Sequence, residues 1–135
     1  MLVSTRGRYA LRFLIDIAEN QGENKYISMS QIAHRQEVSV KYAERLMAVL
    51  VRNKFVEVLH GKSGGYRLAR NPEDYKVGEV LLAMNEELVP VECMKCEPNK
   101  CHRAENCRTL PMWQKLGKVI NEFVDGVTLA DLVKK

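Results

Sequence analysis

Two short helical patterns joined by a tight turn are followed at once by a glycine-tipped hairpin, and a long amphipathic helix lies near the end of the chain. Together these predict a mainly α fold with a small β-hairpin wing: a winged helix-turn-helix domain plus a long C-terminal helix. The chain has 135 residues, 46% of them apolar. That is the size of one domain, or of a small domain with an appended helix, with enough apolar surface for a core.

The first helix spans 4–21, with Ser4 or Thr5 as its cap. Ala10, Leu11, Leu14, Ile17 and Ala18 recur at the spacing of one buried face. Gln21-Gly22-Glu23-Asn24 ends it. Ser28 or Ser30 caps a second helix running through Gln36, with Met29, Ile32 and Ala33 inward. After Glu37-Val38, Ser39 caps a third helix over 40–53. Its inner face is Val40, Ala43, Leu46, Met47 and Leu50, and its first turns expose Lys41, Tyr42, Glu44 and Arg45. An ordinary αα-hairpin would share this much.

The next segment favours the winged reading. Phe55–Leu59 and Tyr66–Leu68 alternate and are rich in β-formers, and His60-Gly61-Lys62-Ser63-Gly64-Gly65 joins them. No helix opens after those glycines and no P-loop ending follows, so a nucleotide cradle is excluded. Residues 76–87 predict a short helix with Val77, Val80, Leu81 and Met84 inward. The long helix begins near Thr109-Leu110-Pro111, where proline fits a first turn, and ends at Gly126. Its stripe is Trp113, Leu116, Val119, Ile120, Phe123 and Val124. Thr128 and Asp131 resemble a capping box opening a last helix with Leu129, Leu132 and Val133 inward. The expected organisation is a winged helix-turn-helix domain over 1–75, a short helix and cysteine-rich loop over 76–108, and a long helix with a terminal short helix over 109–135.

Charge is unevenly placed. Residues 1–70 carry twelve Lys/Arg against six Asp/Glu, whereas residues 71–135 carry nine against eleven. A basic first half shaped as a helix-turn-helix with a wing suits duplex DNA. Lys41, Tyr42, Glu44 and Arg45 would face the major groove, where Arg engages guanine and Glu accepts from cytosine. Lys62, Ser63, Gly64 and Gly65 would reach the minor groove or phosphates, and Arg6 and Arg8 would clamp the backbone. Ser39 and His60 border this surface. No apolar run reaches the length of a membrane span, and Met1–Arg6 has no apolar leader, so the expected setting is a reducing cytosol. The three histidines are scattered and no nucleophile–base motif occurs, so no enzyme is expected.

All four cysteines, Cys93, Cys96, Cys101 and Cys107, fall within fifteen residues of a polar, helix-breaking stretch. Thiols at this density hold a soft metal or respond to oxidants. Lys95, Lys100 and Arg103 would lower their pKa values. Cys93-x-x-Cys96 is also a fair zinc half-site, but the second pair is spaced unlike a zinc ribbon's.

Several motifs occur in a recognisable order: Thr5-Arg-Gly-Arg-Tyr-Ala10, Ile32-Ala33 with Val38-Ser39, Gly64-Gly65-Tyr66, Val77-Gly-Glu-Val80, the clustered cysteines before Trp113, and Thr128-Leu-Ala-Asp-Leu132. With them nearly the whole chain resembles the Rrf-two family of bacterial winged-helix regulators, which includes IscR, NsrR, RirA and CymR types. The resemblance implies a homodimeric transcription factor, usually a repressor, on a palindromic double-stranded operator, with the long helix crossing to the partner. It also implies an iron–sulfur cluster, 2Fe-2S or 4Fe-4S, on Cys93, Cys101 and Cys107. IscR-type proteins place a histidine where this chain has Leu110, and some NsrR-type proteins an acidic residue where it has Arg8. Cys96 is then the leading fourth ligand and His102 the second. Some IscR-type wings carry arginine at the position of His60, so their operator does not transfer. A metal-free thiol switch and structural zinc remain the alternatives.

Overall fold

The computed structural model describes residues 3–23 and 25–134. Six α-helices occur among them: α1 (Thr5–Asn20), α2 (Met29–Arg35), α3 (Val40–Arg52), α4 (Val77–Ala83), α5 (Leu110–Gly126) and α6 (Leu129–Leu132). One hairpin, β1 (Val56–Leu59) with β2 (Gly65–Leu68), follows α3, and 3-10 turns lie at Pro72–Asp74, Glu92–Lys95 and Ala104–Asn106. Asn24 of the predicted turn lies outside the described residues, as do Met1 and Leu2.

The helix starts follow their polar caps. Ser4 accepts from the Gly7 amide, Ser28 and Gln31 form a reciprocal capping box, and Ser39 accepts from the Tyr42 amide. Between α2 and α3, Glu37 sits at φ 56° and the Val38 amide donates to Ala33 O at 3.0 Å, which makes the turn tight. The core gathers Phe13, Leu14 and Ile17 of α1, Ile32 of α2, Ala43, Met47 and Leu50 of α3, with Phe55, Tyr75, Val80, Met84 and Leu129. Each large side chain among them contributes about 1.5–3 kcal/mol by leaving water.

One buried charge ties α1 to the end of α2. Asp16 on α1 is 4% exposed and takes a two-pronged contact from Arg35 at the end of α2, 2.6 Å from Nη2 and 2.9 Å from Nε. Gln36 Nε2 adds a third bond at 2.8 Å. The buried carboxylate holds the Arg35 guanidinium pKa above its ordinary value.

The hairpin is antiparallel, with Val56 opposite Leu68 and Leu59 opposite Gly65. Ile27, just before α2, exchanges two backbone bonds of 2.8 Å with Tyr66 and so forms an isolated bridge beside β2. Gly65, at φ 152°, permits this approach, because a Cβ there would strike Ile27 O. Tyr75 anchors the hairpin's base: its hydroxyl donates to Phe55 O at 2.5 Å and accepts from the Ala69 and Arg70 amides.

Three expectations need correction. The helix predicted over 76–87 ends at Ala83, because Met84 caps it and Asn85 turns left-handed at φ 63°. Val40, placed inward by periodicity, is 46% exposed, since the first residue of α3 lies beyond the core's edge. Leu132 is also largely exposed, the short α6 burying only Leu129. The chain's end returns to the start of α4: the Leu129 amide donates to Tyr75 O at 3.0 Å, and the Val77 amide donates to Val127 O at 2.9 Å. No helix among the described residues is long and apolar enough to cross a membrane.

Candidate nucleic-acid interface and cysteine loop

The start of α3 and the wing tip are both exposed. Lys41, Glu44 and Arg45 project from α3, and His60, Lys62 and Ser63 are exposed on the wing. A groove of about 430 Å³ beside the wing is walled by Ser30, Val40, Leu59, Lys62 and Tyr66, among others, Val40 being its contribution from α3. Partial burial pushes the Tyr66 phenol pKa up, and the negative charge of Glu44 adds to the effect.

Four of the predicted contact residues are already engaged within the chain. The Ser39 hydroxyl is spent on its helix cap, 3.0 Å from the Tyr42 amide. Tyr42 is half-buried, edge-on to Tyr9 with ring centroids 6.0 Å apart, and its buried hydroxyl has no hydrogen-bond partner among the described residues. The Gly64 amide closes the wing turn on Gly61 O at 3.1 Å, so Lys62 and Ser63 are the tip's outward groups. Arg6 donates to Met84 O at 3.1 Å, and together with Tyr42, Arg45, Leu46 and Val49 it lines a cavity of about 280 Å³. Arg8 remains on the exposed side of α1, its guanidinium 3.2 Å from Thr5 Oγ1.

Sequence reading missed Glu86. This buried carboxylate, just past the left-handed Asn85, accepts from the Ser4 backbone N–H at 3.1 and 3.2 Å and from the Ser4 hydroxyl. An anion at the positive end of α1 suits both the unpaired amides and the helix dipole. Gly7 leaves the space, because a Cβ there would meet the carboxylate. The segment that leads into the cysteine loop is thereby fastened to the helix that carries Arg6 and Arg8.

The loop also rests on α5. Met94, next to Cys93, lies with Pro90 against the bare backbone of Gly117. Cys93, Cys101 and Cys107 are half-buried and Cys96 is exposed; all four are free thiols. Cys96 opens into a hollow of about 350 Å³ with Met94, Pro98 and Gln114. Asn99 Oδ1 braces the Cys101 amide at 2.8 Å. No three Cys, His, Asp or Glu side chains converge as a metal site among the described residues.

Cys107 is the activated thiol. Its pKa is lowered first by the Thr109 hydroxyl, 3.4 Å from Sγ, then by the Thr109 and Leu110 amides at the start of α5, with Arg103 a smaller contributor. Helix-end donors, rather than the predicted crowd of cations, do most of this work. Lys95, expected to act on the thiols, is held by Glu87 at 2.7 Å and Glu92 at 2.8 Å, and these contacts push its own pKa up.

Of the α5 stripe, Leu116, Val119 and Phe123 are exposed, Phe123 by 70%, whereas Trp113, Ile120 and Val124 are half-buried. Met112 extends the exposed line, giving 112, 116, 119 and 123 as one seam.

Residues 3–135 match a family profile described as Rrf2, an iron-dependent transcriptional regulator. The chain is 40% identical over 134 residues to Protein rrf2 of Nitratidesulfovibrio vulgaris, covering 99% of this chain and 88% of that one. It is 32% identical over 133 residues to the HTH-type transcriptional regulator IscR of Sodalis glossinidius, covering 98% and 79%. Among solved structures it superposes on CymR, the global cysteine regulator of B. subtilis, with a TM-score of 0.80 and 28% identity, covering 98% of this chain and 95% of that one. T. potens IscR gives a TM-score of 0.74 and 35% identity, covering 98% and 85%.

Proposed function

The chain belongs to the Rrf2 family of transcriptional regulators, and from that premise we propose that it is a homodimeric repressor whose grip on a palindromic operator follows the state of the Cys93–Cys107 loop. The observation that carries this reading is the double attachment of the loop, to α1 through Glu86 and to α5 through Met94 on Gly117. DNA-binding regulation is common to its relatives, which agrees with the expectation of a non-enzyme. The exposed groups of α3 read the major groove, Lys62 and Ser63 meet phosphates or the minor groove, and Arg8 clamps the backbone.

The seam of Met112, Leu116, Val119 and Phe123 supports pairing with a second copy, since an exposed apolar line on a long helix is best covered by its own kind around a two-fold axis. Half-sites on DNA lie about one helical turn apart, so small changes in the spacing of two heads alter affinity.

The donor chemistry of the loop fits an iron–sulfur cluster: four thiols, one of them inclined to ionise. Cys93, Cys101 and Cys107 would hold it, with Cys96 as fourth ligand, and a bound cluster would supply an iron centre sensitive to oxidants and iron supply. Closing the loop on a common centre would draw on Met94 and on the segment that starts at Glu86, and would thereby adjust α5 and the start of α1. A second reading, a metal-free thiol switch centred on Cys107, is favoured by the Thr109 hydroxyl and helix-start amides that lower its pKa. Anaerobic purification separates the two. The cluster reading expects a brown dimer with stoichiometric iron and sulfide, a loss of colour on Cys107→Ser, and an operator affinity that differs between loaded and stripped protein. Colourless protein whose affinity responds to thiol oxidation supports the switch, and zinc in place of iron overturns both.

A further inference from the structure

We propose that Val40 reads a thymine 5-methyl group in the major groove and so sets part of the operator's sequence; this rests on the DNA-binding reading above. Val40 is the first residue of α3, directly after the Ser39 cap, and is 46% exposed despite an apolar spacing that predicts burial. A lone exposed aliphatic is ordinary on a protein surface. Its position makes this one informative, because the first residues of a recognition helix are the ones that meet base edges. Around it the same turn offers charged groups, Lys41, Glu44 and Arg45, while Tyr42 is packed on Tyr9.

Val40 also forms a wall of the groove beside the wing, and Leu59, 45% exposed at the end of β1, lines the same groove. The space is therefore apolar where it meets the helix and cationic at Lys62. The one apolar group that the major-groove edges present is the thymine methyl, and a short β-branched side chain with a stiff χ1 offers it a fixed pair of methyls. Val40 makes no hydrogen bond, so it favours A·T over G·C at its position through packing alone.

The test uses the full chain and an operator selected from randomised duplexes. Each thymine is replaced in turn by deoxyuridine, which removes only the methyl group, and affinity is read by fluorescence anisotropy. Wild type should lose about fourfold at one thymine of each half-site, the worth of one buried methyl. Val40→Ala should bind thymine and uracil duplexes alike, with unchanged thermal unfolding, and Val40→Ile should keep the preference. Wild type indifferent to every replacement, or Val40→Ala retaining the same sensitivity, overturns the proposal while leaving DNA binding intact. Failure of wild type to select any duplex overturns both.

Discussion

Glu86→Ala should loosen the attachment of the segment between α4 and the cysteines to the start of α1. The carboxylate is buried and accepts from both the backbone N–H and the hydroxyl of Ser4 at the start of α1. A hydrogen bond to a charged group contributes about 1.5–3 kcal/mol, and an anion at a helix N-terminus adds roughly 0.3–1 kcal/mol. Ser4 is exposed, so water recovers part of the loss. The expected cost is therefore about 2–3 kcal/mol for alanine and about 1 kcal/mol for the shape-preserving Glu86→Gln. Urea unfolding measures both, and a cycle with Ser4→Ala should give a coupling of about 1 kcal/mol or more. The Gln variant, still folded, should also show a smaller difference in operator affinity between the oxidised and reduced loop, because the loop is then less firmly tied to α1. A cost below about 0.5 kcal/mol for alanine, with no coupling to Ser4, would refute the assignment of Glu86 as the fastening.

Four further outcomes follow from the geometry. Arg45→Ala should relax sequence preference, whereas Lys62→Ala should weaken binding to all duplexes and reduce the salt slope by about 0.9, as expected for one lost phosphate contact; a salt titration on operator and random DNA separates them. Asp16→Ala leaves Gln36 and the solvent-exposed Arg35 without their shared acceptor and should cost about 1–3 kcal/mol in urea unfolding. Phe123→Asp puts a charge at the most exposed position of the α5 seam and should give a folded monomer by light scattering, with operator binding lost at nanomolar protein. Site-resolved alkylation should find Cys107 reacting at lower pH than an ordinary thiol, because its thiolate forms below the usual range; Thr109→Val should move the midpoint upward but not fully, since the two backbone amides remain.

What could be read from the chain were the features written in local spacing. The caps at Ser4, Ser28 and Ser39, the hairpin around the glycines and the Thr128–Asp131 box depend on neighbours within four residues, and each stands within a residue or two of its expected place. What could not be read were partnerships across the chain. Asp16 falls on the apolar face of α1 and looks like a break in the pattern until Arg35 meets it. Glu86 lies 82 residues from Ser4, and nothing in its surroundings marks it as a cap. Val40 fits the inward period of α3, yet the core stops short of it. The thiol environment misled for a related reason: nearby cations in sequence suggested electrostatic activation, but Lys95 is occupied by two glutamates and the start of α5 lowers the Cys107 pKa. Gly65, by contrast, is expected from its place at the wing, and its second use, admitting Ile27 beside β2, depends on a backbone bridge that sequence alone does not reveal.

The most direct measurement is operator affinity for one dimer preparation in two loop states, anaerobically isolated and then stripped of metal or oxidised at its cysteines, at fixed salt. A change of tenfold or more, about 1.4 kcal/mol, that disappears in Cys107→Ser is the predicted result. Equal affinities in every state, from a protein that binds its operator well, would contradict control through the Cys93–Cys107 loop.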